Sequence, residues 1–170
     1  MNEARVIARQ KVWTNTLVQT LVFVGLVSIA PLFPLQGIAG PIVNALLYIA
    51  VIFLGVRYAL FVCIFPSIIS LSTGLLPVVL APMIPFIILG NIILVLLFAY
   101  FKEKSYWLGV VVASVAKFIF IFAASQVIID KFLPSNIAPA IANMMSWPQL
   151  FTALLGGVIA YAFLKFIKKI

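Results

Sequence analysis

The sequence predicts an all-α integral membrane protein: one domain, residues 1–170, with six transmembrane helices, both termini cytoplasmic and an outer lid segment before helix six. Three observations carry that expectation. Of the 170 residues, 66% are hydrophobic and 8% are charged, more apolar surface than a soluble domain of this length can hide. Apolar runs of roughly 20 residues, enough to cross about 30 Å of hydrocarbon, recur between breakers. The cations fall almost wholly on one side of the spans that those runs define.

The elements follow in order. The polar segment 1–12 leads into a full-length span without a small-residue cleavage site, so it reads as a cytoplasmic segment and not as a removable signal. The spans are expected at about 13–33, 40–56, 58–76, 79–101, 106–128 and 147–166. Proline and glycine punctuate them: "PLFPLQGIAGP" after the first, "LGVR" after the second, "TGLLP" after the third. The second span is short, and its turn into the third is tight. Three segments are left outside, about 34–40, 74–79 and 129–146. The last is much the longest and is too apolar for a simple solvated loop. Its stretch "SNIAPAIANMMSW" suits a short helix lying over the outer face as an extracellular lid.

Orientation comes from charge. Arg5, Arg9, Lys11, Arg57, Lys102, Lys104, Lys165, Lys168 and Lys169 share one side if both termini do, and Lys131 alone falls on the other. Positive residues stay cytoplasmic, which puts both ends inside a bacterial cell membrane. The net charge of +8 is then topology plus attraction to the lipid bilayer's anionic headgroups, and gives no sign of nucleic-acid binding.

The chemistry of catalysis is hard to find. There is no histidine, no phosphate-cradling G-x-x-x-x-G-K-[ST] and no H-E-x-x-H, so no enzyme, cofactor or metal site is expected. The three acids, Glu3, Glu103 and Asp130, lie in termini or loops, so no carboxylate pair serves acid–base work within the membrane. Cys63, the single cysteine, reads as a small buried hydrophobe.

One residue breaks the apolar pattern. Lys117, within "VVASVAKFIFIFAAS", is about eleven residues from either end of its helix, roughly 16–17 Å at 1.5 Å per residue. Snorkelling covers too little of that distance, and facing lipid a charge costs at least ~2.5–3.5 kcal/mol, so Lys117 should face the protein interior. It could donate to backbone carbonyls freed by Pro66, Pro82 or Pro85, be kept partly neutral by burial, or meet a polar or anionic group of a bound solute. Ser114, Lys117, Ile121 and Ser125 share one helix face, and three of the four are polar. Asn91 and Asn44 offer amides at matching depth, with Thr152 one turn into the last span and Trp147 and Gln149 at its mouth. Asparagines in membrane helices also serve as interhelical glue, and a tryptophan there also suits the interfacial belt.

Three stretches, "QGIAGPIVNALLYIAVIFLG", "APMIPFIILGNIILVLLF" and "MMSWPQLFTALLGG", together with six short helices and an outer lid, resemble the substrate-binding S component of an energy-coupling factor (ECF) vitamin transporter. The resemblance covers essentially the whole chain and speaks for fold more than for substrate. It implies a solute near the outer face among Asn91, Lys117, Trp147 and Gln149, to which the reading of the residues adds Asn44 and Ser114 as candidate contacts. It also implies a transmembrane coupling subunit, two cytoplasmic ATPases, and docking through a row of small residues on helix one. That row here is Thr16, Thr20, Val24 and Ser28, where many members carry an alanine-x-x-x-alanine patch. A heteroaromatic such as a pyridine or pyrimidine alcohol would suit an amide, a lysine and aromatics. The contrasting expectation is a structural or assembly membrane protein whose polar residues only hold helices together.

Overall fold

The computed structural model describes the backbone of residues 3–32, 36–74, 76–132 and 138–170, with side chains for these except 3–14, 36, 132 and 140. The described residues are all-helical. Helix α1 (Glu3–Ile29) already covers most of the expected cytoplasmic segment, and α2 spans Gln36–Leu54. Two short helices follow, α3 (Val56–Val62) and α4 (Phe65–Ser72), then α5 (Ile84–Phe101), α6 (Tyr106–Phe132), α7 (Ala138–Met144) and α8 (Trp147–Phe166).

Five stretches are long and apolar enough to cross a membrane: Asn15–Leu32, Gly37–Leu54, Val78–Phe101, Tyr106–Lys131 and Ile141–Phe166. Their outward surfaces are apolar as well: Leu21 is 69% exposed and Phe151 73%. Exposed leucine and phenylalanine along α1, α5, α6 and α8 suit lipid and not water, which together with the span lengths is consistent with a multi-pass membrane protein.

The expected span at 58–76 is divided. Pro66 stands in the first turn of α4, where its missing N–H is harmless, and α3 ends just before it at Cys63. The tight turn from α2 into α3 is made by Gly55 at φ +77°, a backbone conformation that side chains disfavour. The expected span at 79–101 is composite. Its first turns, Val78–Met83, are a 3₁₀ helix containing Pro82, and regular α-helix begins at Ile84 beside Pro85. A short helix, α7, lies where "SNIAPAIANMMSW" suggested one, whereas residues 133–137 and 33–35 of the expected outer segments lie outside the described residues.

Helix α2 is the most buried of the long helices and packs chiefly on α8, which packs on α6 as well. The paired Gly156 and Gly157 make this possible by facing different neighbours. A Cβ on Gly156 would sit 2.6 Å from Asn44 Cβ, and one on Gly157 would sit 2.3 Å from Val110 Cγ1. Small residues let membrane helices approach closely, and here they seat α2 and α6 on two adjacent faces of one helix.

The apolar interior is in two parts. The larger cluster, including Tyr48, Leu94, Phe98, Val110 and Leu164, occupies the end of the bundle where α2, α5 and α8 finish and α6 begins. That end carries Arg57, Lys102, Lys104 and Lys165, and Lys169 Nζ lies 5.4 Å above the Phe53 ring. The smaller cluster, including Leu80, Met83, Ile121, Ile128 and Met145, lies at the opposite end, beside α7. Between them runs a layer of polar side chains.

Candidate functional site

The layer is built around Lys117. On α6 it falls between Ala113 of the larger cluster and Ile121 of the smaller one, and it is only 3% exposed. Its Nζ donates to Asn44 Oδ1 on α2 at 2.6 Å and to Asn91 Oδ1 on α5 at 2.8 Å. Such short N–H···O distances are those of charge-assisted bonds. The partners are therefore side-chain amides from two other helices, not backbone carbonyls freed by Pro66, Pro82 or Pro85. Pro66 and Pro85 lie in the first turns of α4 and α5, where no carbonyl is freed, and Pro82 lies inside the 3₁₀ segment.

The network extends from Asn44. With Oδ1 turned to the lysine, its Nδ2 donates to Gly40 O at 2.9 Å and, at a longer 3.5 Å, to Thr152 Oγ1 on α8. Thr152 Oγ1 in turn donates to Gln149 O at 3.2 Å, and Gln149 Nε2 donates to Met144 O at 3.3 Å. Asn44 thus ties α2, α6 and α8 at one point. Its place is held by the close α2–α8 approach at Gly40 and Gly156.

A cavity of about 100 Å³ opens beside this network. Its polar wall is Asn44, Ser67, Ser70, Asn91, Lys117, Gln149 and Thr152; Leu76, Ile87, Met144 and Met145 supply much of the apolar wall. Ser67 stands out because its buried hydroxyl has no hydrogen-bond partner among the described residues. Buried polar groups are nearly always bonded, so each exception calls for an account.

Of the residues singled out in the sequence, Asn44, Asn91, Lys117 and Gln149 come together on this cavity. Ser114 does not line it. It is fully buried one turn away, sharing a 2.9 Å hydrogen bond with Tyr48 Oη, which is also 3.5 Å from Val110 O. Trp147 is also elsewhere: 64% exposed, its ring stacks at 5.4 Å on Phe118, the neighbour of Lys117, on the outward side of the bundle. Ser125 is buried and donates to Phe122 O within its own helix. Cys63 is a buried thiol donating to Ala59 O.

The row on α1 is turned inward. Thr20 is buried and Val24 packs against the larger cluster, while Thr20 and Ser28 donate to Thr16 O and Val24 O one turn back. A hydroxyl satisfied by its own helix is compact and nearly apolar outside, so this row suits close contact with α2, α3 and α4. The outward face of α1 is instead Leu17, Val18, Leu21, Val22 and Leu26.

Sequence reading missed Ser67 and Tyr48. Tyr48 carried a signal, a phenol at the depth of Ser114 that needs a partner when buried. Ser67 carried none, since a serine in a membrane helix ordinarily bonds its own backbone. Among the described residues no cluster of histidine, cysteine or carboxylate could hold a metal ion. Comparison with known protein families, curated proteins and solved structures finds no match to this chain.

Proposed function

We propose that the chain is the solute-binding membrane subunit of an ECF-type importer for a small vitamin or vitamin precursor. The observation that carries this reading is a lysine held by two amides and bordering a cavity in a bundle of apolar helices. An ion at that depth is costly, and intramembrane ionisable residues mark solute or ion pathways. The cavity also belongs to the end of the bundle away from Arg57, Lys102, Lys104 and Lys165, the outer end by the distribution of positive charge. In this reading α3 and α4, over Val56–Ser72, form a broken sixth crossing, both termini are cytoplasmic, and α7 with Met144 and Met145 caps the solute. The sequence has no loop that cradles nucleotide phosphates, so the energy comes from partner ATPases through a membrane coupling subunit. That subunit would meet the leucine-rich outer face of α1, and not the Thr16–Thr20–Ser28 row.

Purification from the native membrane in mild detergent tests this. A larger membrane subunit and ATPases should co-purify, and ATP-dependent uptake should require all of them. A chain that stays alone and drives concentrative uptake unaided would overturn the reading. The alternative, an assembly protein without solute, draws on the mutual pairing of Lys117, Asn44 and Asn91, which would hold helices together in an empty bundle too. It leaves the Ser67 hydroxyl and the cavity unexplained.

A further inference from the structure

We propose that the cavity receives the carboxylate end of a small organic acid, with Lys117 as its counter-charge. This rests on the solute-binding reading and names the chemistry of the solute. The argument is one of unused donors. A lysine ammonium carries three N–H donors and no acceptor, and Lys117 uses two, both on neutral amide oxygens. No carboxylate lines the cavity. Glu103 pairs with Lys102 at one end of the bundle, and Asp130 lies in the last turn of α6 at the other.

Asn91 adds further donors. Its oxygen must face the ammonium, since only oxygen accepts, so its amide N–H groups turn away; they have no partner among the described residues, and the residue lines the cavity. Ser67, also lining the cavity, has a buried hydroxyl with no partner among the described residues. Three kinds of donor thus border one space that holds a formal positive charge and no negative one. A carboxylate accepts several hydrogen bonds at once and neutralises the lysine; a neutral alcohol or amide accepts fewer and leaves the charge unbalanced.

Size agrees. At about 100 Å³ the cavity is well below the roughly 300–1,000 Å³ of sites that enclose a drug-sized molecule. It has room for a carboxylate and the few atoms next to it, the remainder of the acid lying toward Met144 and Met145.

The test uses the purified full chain in discs of zwitterionic lipid. Thermal stabilisation is measured with matched acids, amides and alcohols: acetate, acetamide and ethanol; benzoate, benzamide and benzyl alcohol; and the pyridine equivalents. Sodium chloride and discs containing anionic lipid form separate arms. At least one acid should stabilise the protein, with its amide and alcohol binding at least about tenfold more weakly, the loss of one charge-assisted bond. Ser67→Ala removes a hydroxyl that has no partner in the empty protein. Its melting temperature without acid should hold or rise, while acid affinity falls. Lys117→Met should abolish the preference for acid over amide.

Equal binding of acid and amide would overturn the proposal, as would stabilisation by chloride alone, by anionic lipid alone or by no acid at all. So would a Ser67→Ala variant with full acid affinity. Failure here is distinct from failure of the importer reading: a complex with ATPases that takes up a neutral solute keeps the importer and removes the acid. Acid binding by a chain that never recruits ATPases does the reverse.

Discussion

Phe98 and Met145 are both buried, at opposite ends of one bundle, and their surroundings differ in kind. Around Phe98 the helices are long and regular. Its ring meets the edges of Tyr48 at 4.7 Å and Tyr106 at 5.4 Å, and a Cβ on Gly109 would lie 3.0 Å from it. Around Met145 the chain is broken into short pieces: the Val78–Met83 3₁₀ segment, α4 and α7, with prolines at 66, 77, 82 and 85 and flexible Met83 and Met144 close by. Aromatics locked edge to face leave one arrangement, whereas unbranched methionines fill irregular space in several. One end of the molecule is made to be rigid, the other to accommodate. The lysine layer lies on the boundary between them.

That contrast can be broken most strongly at Phe98. In water Phe→Ala costs about 3–5 kcal/mol, but in a bilayer the released helix surface meets lipid, so mainly the cavity part survives and Phe98→Ala should cost about 3 kcal/mol. Met145→Ala should cost clearly less, because its neighbours can collapse. Unfolding of both variants in the same detergent compares the two ends; equal losses would erase the distinction.

Next is the boundary itself. Asn44→Leu leaves Lys117 with a single amide and removes the ties to Gly40 and Thr152, a loss of about 1.5–3 kcal/mol for a hydrogen bond to a charge. The double variant Asn44→Leu/Lys117→Met should recover part of that loss, since no charge is then left short of a partner. A double-mutant cycle on unfolding free energy gives the coupling directly.

A smaller effect is expected at the α2–α8 seam. The Cβ of Gly156→Ala meets backbone at Ala45 N and Pro41 O, both 2.9 Å away, which no rotamer change relieves. Overpacking of about 1–3 kcal/mol, less the gain in helix propensity of about 0.5–1 kcal/mol, leaves a net cost of up to about 2.5 kcal/mol. Gly157→Ala meets both methyls of buried, β-branched Val110 at 2.3 and 2.9 Å, which a rotamer change does not clear, and should cost about as much in the same thermal melts.

The smallest change sharpens the rigid end. Tyr48→Phe removes the bond to Ser114 and should cost about 1 kcal/mol, while adding Ser114→Ala should restore most of it, because a buried pair lost together leaves nothing unsatisfied.

What was legible in the sequence follows from these energies. An ammonium near mid-membrane has so few tolerable environments that Lys117 had to face inward, and amides at its depth on other helices were natural partners. Helix periodicity placed Ser114 and Ser125 on the same buried face. The break at 63–64 was less legible: "VRYALFVCIFPSIISLS" is apolar enough to count as one span, and Pro66 alone does not say whether a helix kinks or stops. The inward turn of α1 was not legible, because a polar row on a lipid-bound helix suggests a partner. Hydroxyls bonded within the helix lose that polarity, and the leucines are left to face outward. Trp147 was ambiguous between mouth and belt, a matter of one helix rotation that sequence does not determine.

The break between α3 and α4 has a consequence for timescales. A continuous span opens its amides only by fraying from its ends or by wholesale unfolding, but α4 has an end at Ile64 and another at Thr73, only nine residues apart. Such a segment exchanges its backbone hydrogens through small local openings, far more often than α2 or α8. A solute held by Ser67 would be fastened to that same segment. Occupancy should therefore show as slowed deuterium uptake confined to residues 64–73, while the glycine seam of α8 keeps its pace. The fastest-opening piece of the bundle would then be its clock for residence.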